Sequence, residues 1–178
     1  MHTLILGGVR SGKSRLAERL ARDSGLAVTY IATARPVDEE MAARIAAHQA
    51  RRPAHWRLVE EPLALAQTLR REAAAERCVL VECLTLWLSN LLWAEDEDLL
   101  RRELAALPAL LRDLPGRVVL VGNETNLGVI PMNPLARRYC DLAGVLHQQL
   151  AAGCDAVYFT AAGLPLALKG PQLPGPTT

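Results

Sequence analysis

The side chains of this sequence most able to do chemistry begin at Gly7-Gly8-Val9-Arg10-Ser11-Gly12-Lys13-Ser14. The spacing is G-x-x-x-x-G-K-[ST], and each residue type has a physical reason to be there. Glycines let the backbone curl so that several N–H groups converge on phosphate oxygens, and the helix that follows adds the positive end of its dipole. Lys13 can reach the phosphates, and Ser14 can ligate Mg²⁺. The alternative is a glycine-rich turn between a strand and a helix; the apolar run Leu4-Ile5-Leu6 before it and the helical pattern after it favour triphosphate binding. What the loop leaves open is which phosphorus is attacked.

Five further groups of residues bear on that question. Glu82 follows an apolar run, the place where nucleotide-binding α/β proteins put an acid that holds the Mg²⁺ shell or orients a nucleophile; the other reading is a solvated carboxylate at a strand end. His48 is followed by Gln49, Ala50, Arg51 and Arg52, and an imidazole beside guanidinium groups can attack phosphorus and carry a nucleotidyl group. Spacing alone equally allows a solvated surface histidine, with His55 an equal candidate and His2 and His147 weaker ones. Glu60 and Glu61 either cap the next helix or accept hydrogen bonds from a guanine edge. Asn123, Glu124 and Asn133 are either contacts to an acceptor substrate or turn formers, and Trp56 either stacks on a base or packs in the core, where Trp87 and Trp93 are expected.

The elements that must position these groups read as alternating strands and helices. Strands are expected at Leu4-Ile5-Leu6 and at residues 27–31, 78–81, 117–121 and 156–160, with briefer ones at 56–59 and 166–168. Helices are expected at residues 14–22, 38–51, 62–75, 84–93, 96–112 and 134–152, and a polar loop at 122–133. The first two strands should lie parallel in a βαβ unit. The pattern gives a P-loop, RecA-like three-layer α/β sandwich around a mostly parallel sheet, in one nucleotide-binding domain spanning residues 1–178 with a mobile tail from about 170. Ligands in such folds bind at the carboxyl ends of the strands. The phosphate loop, Thr33, Glu82 and Asn123-Glu124 all fall there.

Composition narrows the partners. The formal net charge is +1, with acids and bases interspersed, so no nucleic-acid face or polybasic membrane anchor is expected. The apolar run at 84–92 is broken by Thr85, Ser89 and Asn90 and is far shorter than the ~20 residues of a membrane span. Cys78, Cys83, Cys140 and Cys154 form no C-x-x-C pair and read as buried reduced thiols of a cytoplasmic protein with no redox cofactor.

Taken together, the loop at 7–14, Ile31-Ala32-Thr33, Asp38-Glu39-Glu40-Met41, Arg44-Ile45, His48, Arg52-Pro53, Trp56, Glu60-Glu61-Pro62, Glu82-Cys83, Asn90-Leu91-Leu92, Asn123-Glu124 and Gly128-Val129-Ile130-Pro131 resemble a specific family. It is the bifunctional adenosylcobinamide kinase / adenosylcobinamide-phosphate guanylyltransferase family of cobalamin biosynthesis. The resemblance runs from Leu4 to about Lys169, and the R-I-x-x-H-x-x-x-R-P-x-x-W-x-x-x-E-E-P string is far more specific than the loop. It implies that ATP or GTP phosphorylates the aminopropanol hydroxyl of adenosylcobinamide, and that GMP is then transferred from GTP to that phosphate. It also implies a guanylylated histidine at His48 rather than His55, and a homotrimer. Nucleotide contacts carried over from the family fall on Gly7, Gly8, Val9, Arg10, Ser11, Gly12, Lys13 and Ser14, on Ala32, Thr33 and Ala34, on Gln49, Ala50, Arg51 and Arg52, and on Glu60 and Glu82.

The chain departs from the family pattern at four places. Gln49 replaces a basic residue, Asn126 replaces a glycine, Cys140 an arginine and His147 an asparagine. Asn tolerates positive φ better than most residues, which would let the turn at Asn126 survive. A regulatory RecA-like NTPase, or an enzyme retaining one of the two activities, is the competing reading, and a nucleophilic His48 beside Arg51 and Arg52 separates the first of these from the bifunctional enzyme. Lys13→Ala is expected to weaken triphosphate binding and so impair both reactions; unchanged nucleotide affinity, measured by titration calorimetry, would overturn the loop reading.

Overall fold

The computed structural model describes residues 1–35, 38–39, 42–43, 46 and 52–173. Among them are seven strands and five helices, with strands β1 (His2–Gly7), β2 (Ala27–Ala32), β3 (Arg57–Glu60), β4 (Arg77–Glu82), β5 (Arg117–Asn123), β6 (Ala156–Ala161) and β7 (Leu164–Lys169). The helices are α1 (Lys13–Arg22), α2 (Leu65–Glu72), α3 (Leu84–Trp93), α4 (Glu97–Leu111) and α5 (Pro134–Gly153). The strands form one sheet in the order β3-β2-β4-β5-β1-β6-β7, parallel throughout except for the terminal β6–β7 hairpin.

Alternation along the central strands explains the three layers. Leu4 and Leu6 of β1, Val79 and Val81 of β4, and Val118 and Leu120 of β5 pack on one face, under α2 to α5. Their neighbours Ile5, Cys78, Leu80, Val119 and Val121 point to the other face, where Leu16, Ala17 and Ala21 of α1 cover them. Strands apolar on both faces cannot alternate with polar residues, which is why β1, β4 and β5 read as continuous apolar runs. Trp56 belongs to the core on the α1 face, and Trp87 to the other, with its indole N–H donating to the Leu63 carbonyl at 2.8 Å.

Several expectations are corrected. β2 is parallel to β1 but not beside it, because β4 and β5 lie between them. Asn123 and Gly122 belong to β5 rather than to the loop, since pairing with β1 continues to Gly7 opposite Asn123. Helix α2 starts at Leu65 because the Glu61 carboxylate accepts hydrogen bonds from the N–H groups of Leu63 and Ala64 at 2.9 and 2.8 Å, and it stops at Glu72 because Ala73 is extended. Trp93 is not core: at the end of α3 it is 56% exposed. Of the four cysteines, all free, only Cys78 and Cys154 are buried. The tail is docked through 173, with the Tyr158 hydroxyl donating to the Pro171 carbonyl at 2.9 Å and Leu173 against the core. Most of the helix expected at 38–51 lies outside the described residues, although Ala42 N–H donates to the Asp38 carbonyl at 2.9 Å as a first turn requires.

One buried charge ties the β3 side of the sheet to α2. The Glu72 carboxylate, whose side chain is 3% exposed, meets Arg57 of β3 at 3.1 Å, Arg71 at 3.1 Å and Arg77 of β4 at 3.3 Å. Removing it leaves three guanidinium groups without their shared anion. Because those arginines keep access to water, the cost is below that of a fully buried pair. Glu72→Ala is expected to destabilise the fold by about 2 kcal/mol, read as a lower urea midpoint at unchanged slope.

Candidate functional site

The phosphate loop leaves β1 at Gly7, where only glycine fits: a Cβ there would sit 2.4 Å from the Thr160 carbonyl oxygen and 2.5 Å from its Oγ1. That closeness lets the Ser11 and Thr160 hydroxyls share a buried hydrogen bond of 2.7 Å, while Thr160 also donates to the Leu6 carbonyl at 3.3 Å. Two positive-φ residues, Ala162 at 51° and Gly163 at 82°, close the β6–β7 hairpin, as a tight two-residue turn demands. The Gly163 N–H then donates to the Ser11 carbonyl at 2.9 Å. Gly12, at φ 102°, lies against this turn and opens α1. Gly8, Val9 and Arg10 form the exposed rim of the loop.

Lys13 is buried, its ammonium donating to the Gly8 carbonyl at 2.6 Å. Burial pushes its pKa down, and the nearby Glu82 and Cys83 pull it back up. In the first turn of α1, the Ser14 hydroxyl donates to Glu82 Oε1 at 2.8 Å. The loop and the β4 acid are therefore one unit. Glu82 is the last residue of β4, opposite Ala32 of β2, and the peptide that follows it to Cys83 is cis. Two hard oxygen donors side by side at the mouth of a phosphate loop are a set suited to a divalent cation carried by a nucleotide.

Thr33 has a structural duty. Its side chain is fully buried; its hydroxyl donates to the Cys83 carbonyl at 2.7 Å and accepts the Cys83 N–H at 2.8 Å, and its own N–H donates to the Glu82 carbonyl at 3.1 Å. Asn90, buried on α3, donates its amide to the carbonyls of Thr33 at 2.7 Å and Pro62 at 3.2 Å. The ends of β2 and β4 and the entry to α2 are thereby held together. Ala32 and Ala34 flank Thr33 and stay partly open.

Of the residues expected around His48, the structure describes only Arg52; His48, Gln49, Ala50 and Arg51 lie outside the described residues. The Arg52 guanidinium sits over the Tyr30 ring, 5.3 Å from its centroid, a cation–π contact that fixes the chain leaving that segment to β2. Glu61 is a cap, as the plainer reading had it, whereas Glu60 ends β3 with an exposed side chain, at the edge of the sheet. His55 is exposed in a turn. Asn133 is also a cap, accepting the Ala136 N–H at 3.0 Å at the start of α5.

Between β4 and β1, at the end of β5, Glu124 N–H donates to the Gly7 carbonyl at 3.0 Å, and Asn123 N–H donates to the Thr85 hydroxyl at 2.8 Å. Asn126 does not take positive φ. Its N–H donates to Glu124 Oε1 at 2.7 Å and its amide donates to the Cys140 carbonyl at 3.0 Å, so the turn is held by a side chain instead of by glycine. Sequence reasoning gave no role to Thr160, Gly163, Asn90 or Thr85. Thr160 carried the one available signal, a hydroxyl closing an apolar strand just before a turn.

A family model described as cobinamide kinase / cobinamide phosphate guanyltransferase matches residues 3–168. The bifunctional adenosylcobalamin biosynthesis protein CobP of Pseudomonas aeruginosa is 64% identical over 173 residues, 97% of this chain and 100% of that one. The corresponding protein CobU of Escherichia coli is 40% identical, over 95% of this chain and 100% of its own. Among solved structures, the RadB recombinase superposes with a TM-score of 0.56 at 18% identity, covering 98% of this chain and 83% of that one, a likeness of P-loop fold alone. With the match running from β1 to β7, this chain belongs to the cobinamide kinase / cobinamide phosphate guanyltransferase family.

Proposed function

We propose that this chain phosphorylates adenosylcobinamide with ATP or GTP and then transfers GMP from GTP to the resulting phosphate through a guanylylated His48. The observation that carries the reading is the Ser14–Glu82 contact at 2.8 Å beside the buried Lys13, which joins the phosphate loop and the β4 acid at one edge. In the first reaction the acceptor hydroxyl attacks the γ-phosphorus and the nucleoside diphosphate leaves. Lys13 and the loop N–H groups stabilise the charge on the transferred group. Ser14 and Glu82 supply oxygen donors for Mg²⁺ arriving with the nucleotide, which when bound neutralises phosphate charge.

In the second reaction a neutral imidazole nitrogen of His48 attacks the α-phosphorus of GTP, the α–β bridging bond breaks and pyrophosphate leaves. An oxygen of adenosylcobinamide phosphate then attacks the same phosphorus, the P–N bond breaks and His48 is regenerated. Splitting one displacement in two stores the guanylyl group at high transfer potential. Arg51 neutralises phosphate charge in this reading, whereas Arg52 is engaged with Tyr30 and acts as a tether. The family membership and the loop that both reactions share support the bifunctional reading over a regulatory NTPase.

The assembly proposed is a homotrimer, supported by the exposed Leu127, Val129, Ile130 and Met132 on one loop, an apolar cluster of the kind that subunit contacts cover. The proposed location is the cytoplasm, and no helix among the described residues is long and apolar enough to cross a membrane.

Incubation with α-³²P-GTP is expected to label the protein covalently, with acid-labile, base-stable chemistry. His48→Ala should abolish the label and His55→Ala should retain it. Label persisting on the His48→Ala protein would show that the nucleophile lies elsewhere.

A further inference from the structure

Two carboxylates stand at the carboxyl edge of the strands flanking the phosphate loop, and the mechanism above uses one. Glu82 is bonded to Ser14. Glu124 follows β5, one strand from the loop, anchored by its N–H on the Gly7 carbonyl at 3.0 Å. Its Oε1 accepts the Asn126 N–H at 2.7 Å, and its Oε2 lies 4.0 Å from Nδ1 of His147 on α5. Both side chains are largely buried, 17% exposed for Glu124 and 10% for His147. Among the described residues His147 Nδ1 has no hydrogen-bond partner, a costly state for a buried polar atom that serves nothing. The ring occupies space that Gly122 leaves open: a Cβ at Gly122 would lie 3.1 Å from His147 Nε2.

We propose that Glu124 is the base that takes the proton from the corrinoid hydroxyl in the phosphorylation step, and that His147 is the residue that positions its carboxylate. The proposal rests on the kinase half of the reading above. As the hydroxyl oxygen bonds to the γ-phosphorus, its proton passes to Glu124; the bond from the γ-phosphorus to the bridging oxygen breaks, the nucleoside diphosphate leaves, and Glu124 releases the proton to solvent.

The surroundings fit this division of labour. Among the described residues no lysine or arginine lies within ion-pair distance of Glu124, so the carboxylate is not quenched by a fixed cation. Burial lowers the His147 pKa and Glu124 pulls it back up, the result being an uncharged ring at neutral pH. Tyr139 of α5, close to Glu124 and Cys140, is pushed up to about 12 by burial, and Cys83 beyond β4 to about 11.

The test separates the two half-reactions. With γ-³²P-ATP and adenosylcobinamide, Glu124→Gln is expected to lower phosphorylation turnover by about 100-fold, while self-labelling by α-³²P-GTP, which involves no acceptor hydroxyl, continues. His147→Ala should lower the phosphorylation kcat about tenfold with the KM for ATP unchanged. Equal loss of both half-reactions in Glu124→Gln, or a raised KM for ATP with unchanged kcat in His147→Ala, would overturn the proposal. A wild-type protein that self-labels yet never phosphorylates adenosylcobinamide would overturn the kinase reading itself.

Discussion

The site depends on how closely β1 and β6 approach at Gly7. Without a side chain there, the Thr160 hydroxyl reaches both the Leu6 carbonyl and Ser11, and the backbone of the β6–β7 turn reaches the Ser11 carbonyl. A loop rich in glycine pays a large entropic cost to hold one conformation. Here that cost is offset by contacts from a neighbouring hairpin together with the bonds that the Lys13 ammonium and the Ser11 N–H make to the Gly8 carbonyl within the loop. The loop backbone is therefore held in one conformation before any anion arrives, which is the condition for electrostatic stabilisation without reorganisation.

The opposite flank is built by the same logic with different groups. Thr33, Cys83 and Asn90 exchange hydrogen bonds that close the ends of β2 and β4 over α3 and set Glu82 at the mouth of the loop. Beyond β5, Thr85 accepts from Asn123 while Glu124 binds back to Gly7. Buried polar side chains at a sheet edge satisfy backbone groups that the ladder has stopped pairing. Their common effect is to keep Lys13, Ser14, Glu82 and Glu124 on one rim.

What was legible in the sequence was local. The phosphate loop is a contiguous string whose chemistry follows from its spacing, and β1, β4 and β5 announce themselves as apolar runs because both their faces are covered. Glu61 could be read as a cap, since a cap and its helix are neighbours in sequence. Thr160 and Asn90 were not legible as site residues because their partners lie 149 and 57 residues away. Trp93 misled for a related reason: an apolar helix buries one side, and which tryptophan faces outward depends on the sheet beneath. The order of β2 relative to β1 was hidden too, since chain order says nothing about which later strands slip between. At Asn126 the residue type pointed to positive φ, yet the side chain bonds to α5 instead.

The pinning of the loop by the β6–β7 turn also bears on the order in which the molecule acquires its parts. The loop is made on the ribosome well before the turn that braces it, at Ala162 and Gly163; Ser11 and the Thr160 it bonds are 149 residues apart. Until that hairpin has emerged and paired beside β1, the glycines of the loop remain free to sample other conformations, and a growing chain carries a phosphate-binding sequence without a phosphate-binding shape. Contacts this distant close late in folding because the entropy of the intervening chain must be surrendered first. Nucleotide binding is thus coupled to completion of the sheet, and a nascent chain gains little from the nucleotide pool before the β6–β7 hairpin is in place.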